Sequence, residues 1–143
     1  MAPIREWFGV YNIIYRWFEQ RYGKKALEEY WKYIAQNCFS EILNRFSTGI
    51  VGVRDYLSET FDKDGGEYLS TIKGDSLIFE VTKCPDYDFM NSVFNINFKP
   101  IEDYCKHHEI FNSALAEKAG YSFCMAECNH KGQCKWVFEK TNQ

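Results

Sequence analysis

The sequence predicts an α+β fold: a small antiparallel sheet of about four strands, arranged as two hairpins, packed against N-terminal helices and one helix between the hairpins. Three observations carry this. Apolar residues recur at three- and four-residue steps as far as residue 62, the mark of amphipathic helices. Two later stretches, 67–83 and 121–139, alternate instead, and each is interrupted by a turn containing glycine. A further helical period, 101–119, lies between them.

The elements follow in order. Pro3 suits the start of a helix over 3–22, in which Trp7, Phe8, Tyr11, Ile14, Tyr15, Phe18 and Tyr22 recur and Gly23 supplies the stop. Leu27, Tyr30, Trp31, Ile34, Cys38, Ile42, Leu43 and Phe46 continue the period, with a break near Ser40, and this places Cys38 in the core stripe. A helix over 50–62 presents Ile50, Val53, Leu57 and Phe61 before Asp64-Gly65-Gly66 ends it. Residues 67–72 and 76–83 flank Lys73-Gly74-Asp75 as a hairpin, closed by Cys84-Pro85 because proline cannot continue a ladder. The pattern from Asp86 to Pro100 is poor, with helical turns around Phe89 to Phe94, and suits a lid or crossing loop. In the helix 101–119 the inward stripe is Ile101, Tyr104, Cys105, His108, Phe111, Asn112 and Leu115, with Gly120 as the stop. Strands 121–128 and 133–139 around Asn129-His130-Lys131-Gly132 complete the second hairpin.

A chain of 143 residues is the size of one domain, 1–143, with a single core. Its net charge of -3 and the absence of long basic runs argue against broad binding to nucleic acid or anionic membranes. No apolar stretch approaches the roughly 20 residues of a membrane span, and the charged N-terminus lacks a signal-peptide layout. A cytoplasmic protein is expected. In that compartment the six cysteines read as reduced thiols, metal ligands or catalytic groups.

The cysteines crowd toward the C-terminus. Unbroken alternation would put Cys124, Ala126 and Cys128 on one face, with Cys128 opposite Cys134, and Trp136 and Phe138 sharing that face. Cys124 and Cys128 would then stand roughly 13 Å apart, so their C-x3-C spacing cannot chelate one ion. Cys105 and His108 project from the same helix face, about 5 to 6 Å apart at Cβ, and both are ligand types that zinc prefers. Cys84 at a strand end and Cys134 on the last hairpin are the long-range partners, giving a candidate metal set of Cys84, Cys105, His108 and Cys134 for a zinc ion or an iron–sulfur cluster. Ordinary buried thiols are the competing reading.

A nucleophilic site is also open. Cys105, in the first turn of its helix, would be activated by His107 or His108, since an adjacent imidazole and a helix N-terminus both lower a thiol pKa. His107 alone reads as solvent-facing and His130 as turn chemistry. The sequence has no G-x-S-x-G, Walker, G-x-G-x-x-G or H-E-x-x-H motif.

Across residues 25–140 the order Lys83-Cys84-Pro85, Tyr104-Cys105-Lys106-His107-His108, Glu117-Lys118-Ala119-Gly120 and Gly132-Gln133-Cys134-Lys135-Trp136-Val137-Phe138 resembles the L-2-amino-thiazoline-4-carboxylic acid hydrolase-like family. Where that family often carries Y-C-x-H-C, this chain has His108 at the last position, which changes the type of ligand. The resemblance implies opening of a cyclic amidine: water attacks the ring C=N carbon and yields a carbamoyl-cysteine. More distantly, the helix followed by a hairpin with cysteine on each strand is similar to the 4-vinyl reductase and TRAPP-like ligand-binding fold.

Two functions are therefore expected. One is a small-molecule hydrolase acting on a cyclic amidine-like C=N bond, assisted by a metal on the Cys/His set, with Cys105 and His107 catalytic and Tyr104 and Trp136 shaping the pocket. The other is a non-enzymatic small-molecule, metal or redox-sensing binding module. Val10, Ile13 and Trp17 lie off the main stripe of the first helix, so a homodimer through the N-terminal helices is a further expectation.

Overall fold

The computed structural model describes residues 5–92 and 98–141. Among these residues, six helices and four strands follow in the order α1 (Glu6–Tyr22), α2 (Lys24–Asn37), α3 (Ser40–Phe46), α4 (Ile50–Asp64), β1 (Glu67–Lys73), β2 (Ser76–Lys83), α5 (Pro85–Ser92), α6 (Tyr104–Ala119), β3 (Tyr121–Cys128) and β4 (Cys134–Lys140). The α+β architecture with two hairpins is as the periodicity implies. The strands form one antiparallel sheet in the order β1-β2-β4-β3, so the two hairpins join through β2 and β4. Helices α4 and α6 pack on the sheet, and α2 packs on α6 from outside.

Sheet alternation and helix period meet in a shared core. Leu77, Phe79 and Val81 of β2, Trp136 and Phe138 of β4, and Phe46, Val53, Leu57 and Phe61 of α3 and α4 are all buried. Fully burying each such side chain contributes about 1.5–3 kcal/mol. A second cluster of Tyr15, Leu27, Trp31, Met90 and Tyr104 joins α1, α2, α5 and α6.

Several expectations are corrected. The second helical run divides at Cys38 and Phe39, whose backbone leaves helical geometry (Phe39 φ -107°, ψ 49°), so Cys38 ends α2 as an exposed residue outside the core stripe. The helix between the hairpins begins at Tyr104, not Ile101. Its buried surface is wider than one stripe because it is held between α2 and β3, and this buries His107, which the period alone left facing solvent. The irregular segment after Cys84 opens with a regular helix, α5; its continuation over 93–97 lies outside the described residues, as does Pro3.

Helix α1 buries Gly9, Asn12 and Tyr15. Asn12 is fully buried, donating Nδ2 to Lys99 O (2.6 Å) and accepting from Ile101 N (2.8 Å) at Oδ1. One side chain thereby satisfies two backbone groups of the segment that enters α6. Trp7, Ile13 and Trp17 are exposed in the single chain. Among the described residues no helix is long and apolar enough to cross a membrane.

Candidate active site and thiol cluster

A β-bulge decides which thiols meet. In β3, Met125 pairs with Trp136 and Glu127 with Lys135, leaving Ala126 as the extra residue. One inserted residue reverses the alternation beyond it. Phe123, Met125 and Cys128 therefore turn inward, while Cys124 points outward and is exposed. The expected common face of Cys124 and Cys128 does not form, but Cys128 still lies opposite Cys134.

The Cys134 thiol stands 2.8 Å from Cys128 Sγ. Cys105, from the first turn of α6, completes a group of three thiols whose sulfurs lie within 4.8 Å of one another. The bond from Cys134, then the nearby His108 and a bond from Cys128, hold Cys105 well below the usual thiol pKa against the opposing effect of burial. The same shared proton, with burial, pushes Cys134 up. Within the trio, Cys105 is thus biased toward the thiolate and Cys134 toward the neutral thiol.

A second group forms at the other side of α6, where Asp86, His107 and His108 also lie within 4.8 Å of one another. Asp86 comes from the first turn of α5, placed there because Pro85 ends the strand and begins the helix. Tyr104 donates its hydroxyl to Asp86 Oδ2 at 2.8 Å, and His108 Nε2 is 3.5 Å from the same oxygen. Burial alone would raise the Asp86 pKa, but the bond and charge of His108 outweigh it and hold the carboxyl below its usual range. Burial also opposes the charged form of His108, and Asp86 again prevails, raising it. His107 has no such carboxylate bond; burial, and then the charge of His108, lower it to about 3. Its Nδ1 contacts Tyr104 O, so that nitrogen carries the hydrogen and Nε2 is the free acceptor.

Asp86, His107 and His108, but not the thiol group, line a half-open cavity of about 440 Å³ bordered by all six helices. Aromatic side chains contribute much of its wall, among them Tyr15, Tyr30, Tyr56, Phe61 and Phe111. Asp86, His107, His108 and Trp136 provide a polar edge. Trp136 is buried, and its Nε1 has no hydrogen-bond partner among the described residues. Tyr104 is not among the lining residues; its hydroxyl bonds Asp86, which is.

The expected four-residue metal set is thus divided. Cys105 and Cys134 fall in the thiol group with Cys128, and His108 falls in the carboxylate–imidazole group. Cys84 belongs to neither: it is buried at the cavity edge, and burial together with Asp86 pushes its thiol well above the usual value, which favours the neutral form. Both groups carry ligand types that can hold a metal ion. Sequence reasoning missed Asp86, whose only signal is an acid in the first helical turn after Cys-Pro. Comparison with family models, curated proteins and solved structures finds no match to this chain.

Proposed function

We propose that the chain binds a small organic molecule in the aromatic cavity and hydrolyses it at a cyclic amidine-like C=N carbon. The observation that carries this reading is the convergence of Asp86, His107 and His108 on a mostly apolar cavity. Such a reaction needs one group to take a proton from water and another to give a proton to the leaving atom. Burial holds His107 well below the usual imidazole value while Asp86 raises His108, so the two neighbouring rings are biased toward opposite protonation states. In this mechanism His107 Nε2 accepts the proton of water as its oxygen adds to the carbon. His108 protonates the ring nitrogen as the C=N electron pair moves onto it; the added hydroxyl then passes its proton to the departing sulfur as the carbonyl forms and the ring C–S bond breaks. The two ring centroids are 3.9 Å apart, a short path for returning the proton to His108.

Metal assistance is a finer form of the same reading. A divalent ion on Asp86, His107 and His108 would supply a Lewis acid beside the bond. A zinc ion or iron–sulfur cluster on the thiols would stand apart from the cavity, since Cys105, Cys128 and Cys134 do not line it. Six free cysteines suit a reducing compartment such as the cytoplasm.

The apolar walls also favour a second reading, a binding module that holds its ligand without turnover. The test is incubation of purified protein with 2-amino-thiazoline-4-carboxylate, following the ring-opened carbamoyl product by mass spectrometry and binding by calorimetry. The hydrolase reading expects turnover that falls at least about a hundredfold in Asp86→Asn and His108→Asn. Binding without turnover in the wild type would assign the module instead. Absence of both binding and turnover would remove this substrate class.

A further inference from the structure

The hairpin that carries Cys128 and Cys134 holds a third possible ligand in its turn. His130 has φ 57°, a left-handed conformation that folds its backbone back, so that its N–H donates to Cys128 Sγ at 3.4 Å. Its Nδ1 lies 3.9 Å from the same sulfur. The turn is firmly built: Asn129 Oδ1 accepts from Lys131 N (2.8 Å) and Gln133 N (3.1 Å), and Gly132 O accepts from Cys84 N (2.9 Å). That N–H opposes the burial that raises the Cys128 thiol pKa, and so favours the thiolate, the form in which cysteine binds metal.

We propose that Cys105, Cys128, His130 and Cys134 bind one zinc ion as a closed, four-ligand site. Zinc–sulfur and zinc–nitrogen bonds of about 2.3 and 2.0–2.1 Å set tetrahedral edges of about 3.8 Å between sulfurs and about 3.6 Å between sulfur and nitrogen. The Cys128–His130 separation of 3.9 Å is already close to that edge. The Cys128–Cys134 pair, at 2.8 Å, would open by about 1 Å. His130 is exposed, so its ring is able to turn toward the three sulfurs without displacing core side chains. His108 is the competing fourth ligand, but its Nε2 is committed to Asp86.

Four protein ligands leave no position for water, so the ion is structural. It would fasten the β3–β4 turn to the first turn of α6, directly before His107 and His108. This inference goes beyond the hydrolase reading and does not depend on it.

The experiment is titration of reduced, metal-free full-length protein with zinc, and with cobalt as a spectroscopic substitute, under anaerobic conditions. The wild type should bind one equivalent of cobalt with sulfur-to-metal charge-transfer bands and a tetrahedral visible spectrum. Cys128→Ser and His130→Ala, both at accessible positions, should each weaken zinc by at least about tenfold, while Asp86→Asn leaves the sulfur bands unchanged. Retention of wild-type affinity in His130→Ala, or loss in His108→Ala instead, would overturn the assignment of the fourth ligand. A reduced wild type that binds no metal, or that purifies with an iron–sulfur chromophore, would overturn the zinc site. None of these readouts uses hydrolysis, so failure here is separable from failure of the catalytic reading.

Discussion

Asp86 Oδ2 lies 3.5 Å from His108 Nε2 and ties α5 to α6 at the edge of the cavity. Both partners are largely removed from water, with side-chain exposures of 12% and 21%, so solvent screens the pair less than it screens a surface ion pair. Tyr104 donates to the same carboxylate oxygen, fixing its orientation before any ligand arrives.

This pair should give stability a characteristic pH dependence in the metal-free protein. Asp86 is held below its usual range, so its contribution is complete above the unfolded carboxylate pKa and disappears as pH falls through the lower native value. His108 is held above its usual value, so its contribution is complete below the unfolded imidazole pKa and disappears as pH rises through the native one. The pair therefore stabilises most in the weakly acidic window between them. Asp86→Asn should cost about 1–3 kcal/mol in that window and flatten the profile on both sides. Denaturant midpoints measured across pH for both proteins check this; parallel profiles would refute the coupling.

Native thiol reactivity should report the bulge at Ala126. Cys38 and Cys124 are exposed, whereas Cys84 and Cys105 are buried. Brief alkylation of reduced native protein, followed by peptide mass spectrometry, should modify Cys38 and Cys124 first and Cys84 last. Protection of Cys124 together with Cys128 would mean that β3 alternates without interruption and carries both thiols on one inward face.

The hairpins and most helix limits were legible because hydrophobic period depends on local sequence. Leu77, Phe79 and Val81 show the strand face directly, and Gly120 stops α6 through its left-handed φ of 86°. The candidate site was legible only in part. Cys105, His108 and Cys134 stood out by residue type, but whether they meet depends on one extra residue at Ala126, which leaves no compositional trace. Asp86 and Asn12 gain their importance from partners 22 and 89 positions away respectively, His108 and Ile101, and no periodicity encodes such pairs. The burial of His107 likewise comes from packing α6 between α2 and β3.

Gly52, in the first turn of α4, marks a close approach to the end of α3. A Cβ there would lie 2.1 Å from Thr48 Oγ1 and 2.3 Å from Arg45 O. Alanine ordinarily favours a helix over glycine by about 1 kcal/mol, but a backbone carbonyl at this distance has to move. The steric effect should win, and Gly52→Ala should destabilise by about 1–3 kcal/mol in chemical denaturation. A more stable variant would show that α3 and α4 are separated by more than this contact allows.

Trp136 provides the last test, because packing and hydrogen bonding make opposite demands on it. The indole is buried between the sheet core and the cavity, stacking on Phe79 at 5.9 Å and meeting Phe61 edge-on at 5.9 Å. Its unpaired Nε1–H, if left without an acceptor, costs about 1–3 kcal/mol. Trp136→Phe loses packing volume but also removes that unpaired donor, so the free protein should lose less than the 3–5 kcal/mol typical of truncating a buried tryptophan to alanine. A ligand that offers an acceptor to the indole would lose that bond in the variant, and its affinity should fall about tenfold, which corresponds to about 1.4 kcal/mol. Melting curves and ligand titration on the same two proteins separate these effects. A large stability loss with unchanged affinity would make Trp136 a packing residue alone, whereas a small stability loss with weakened binding would assign its N–H to the ligand.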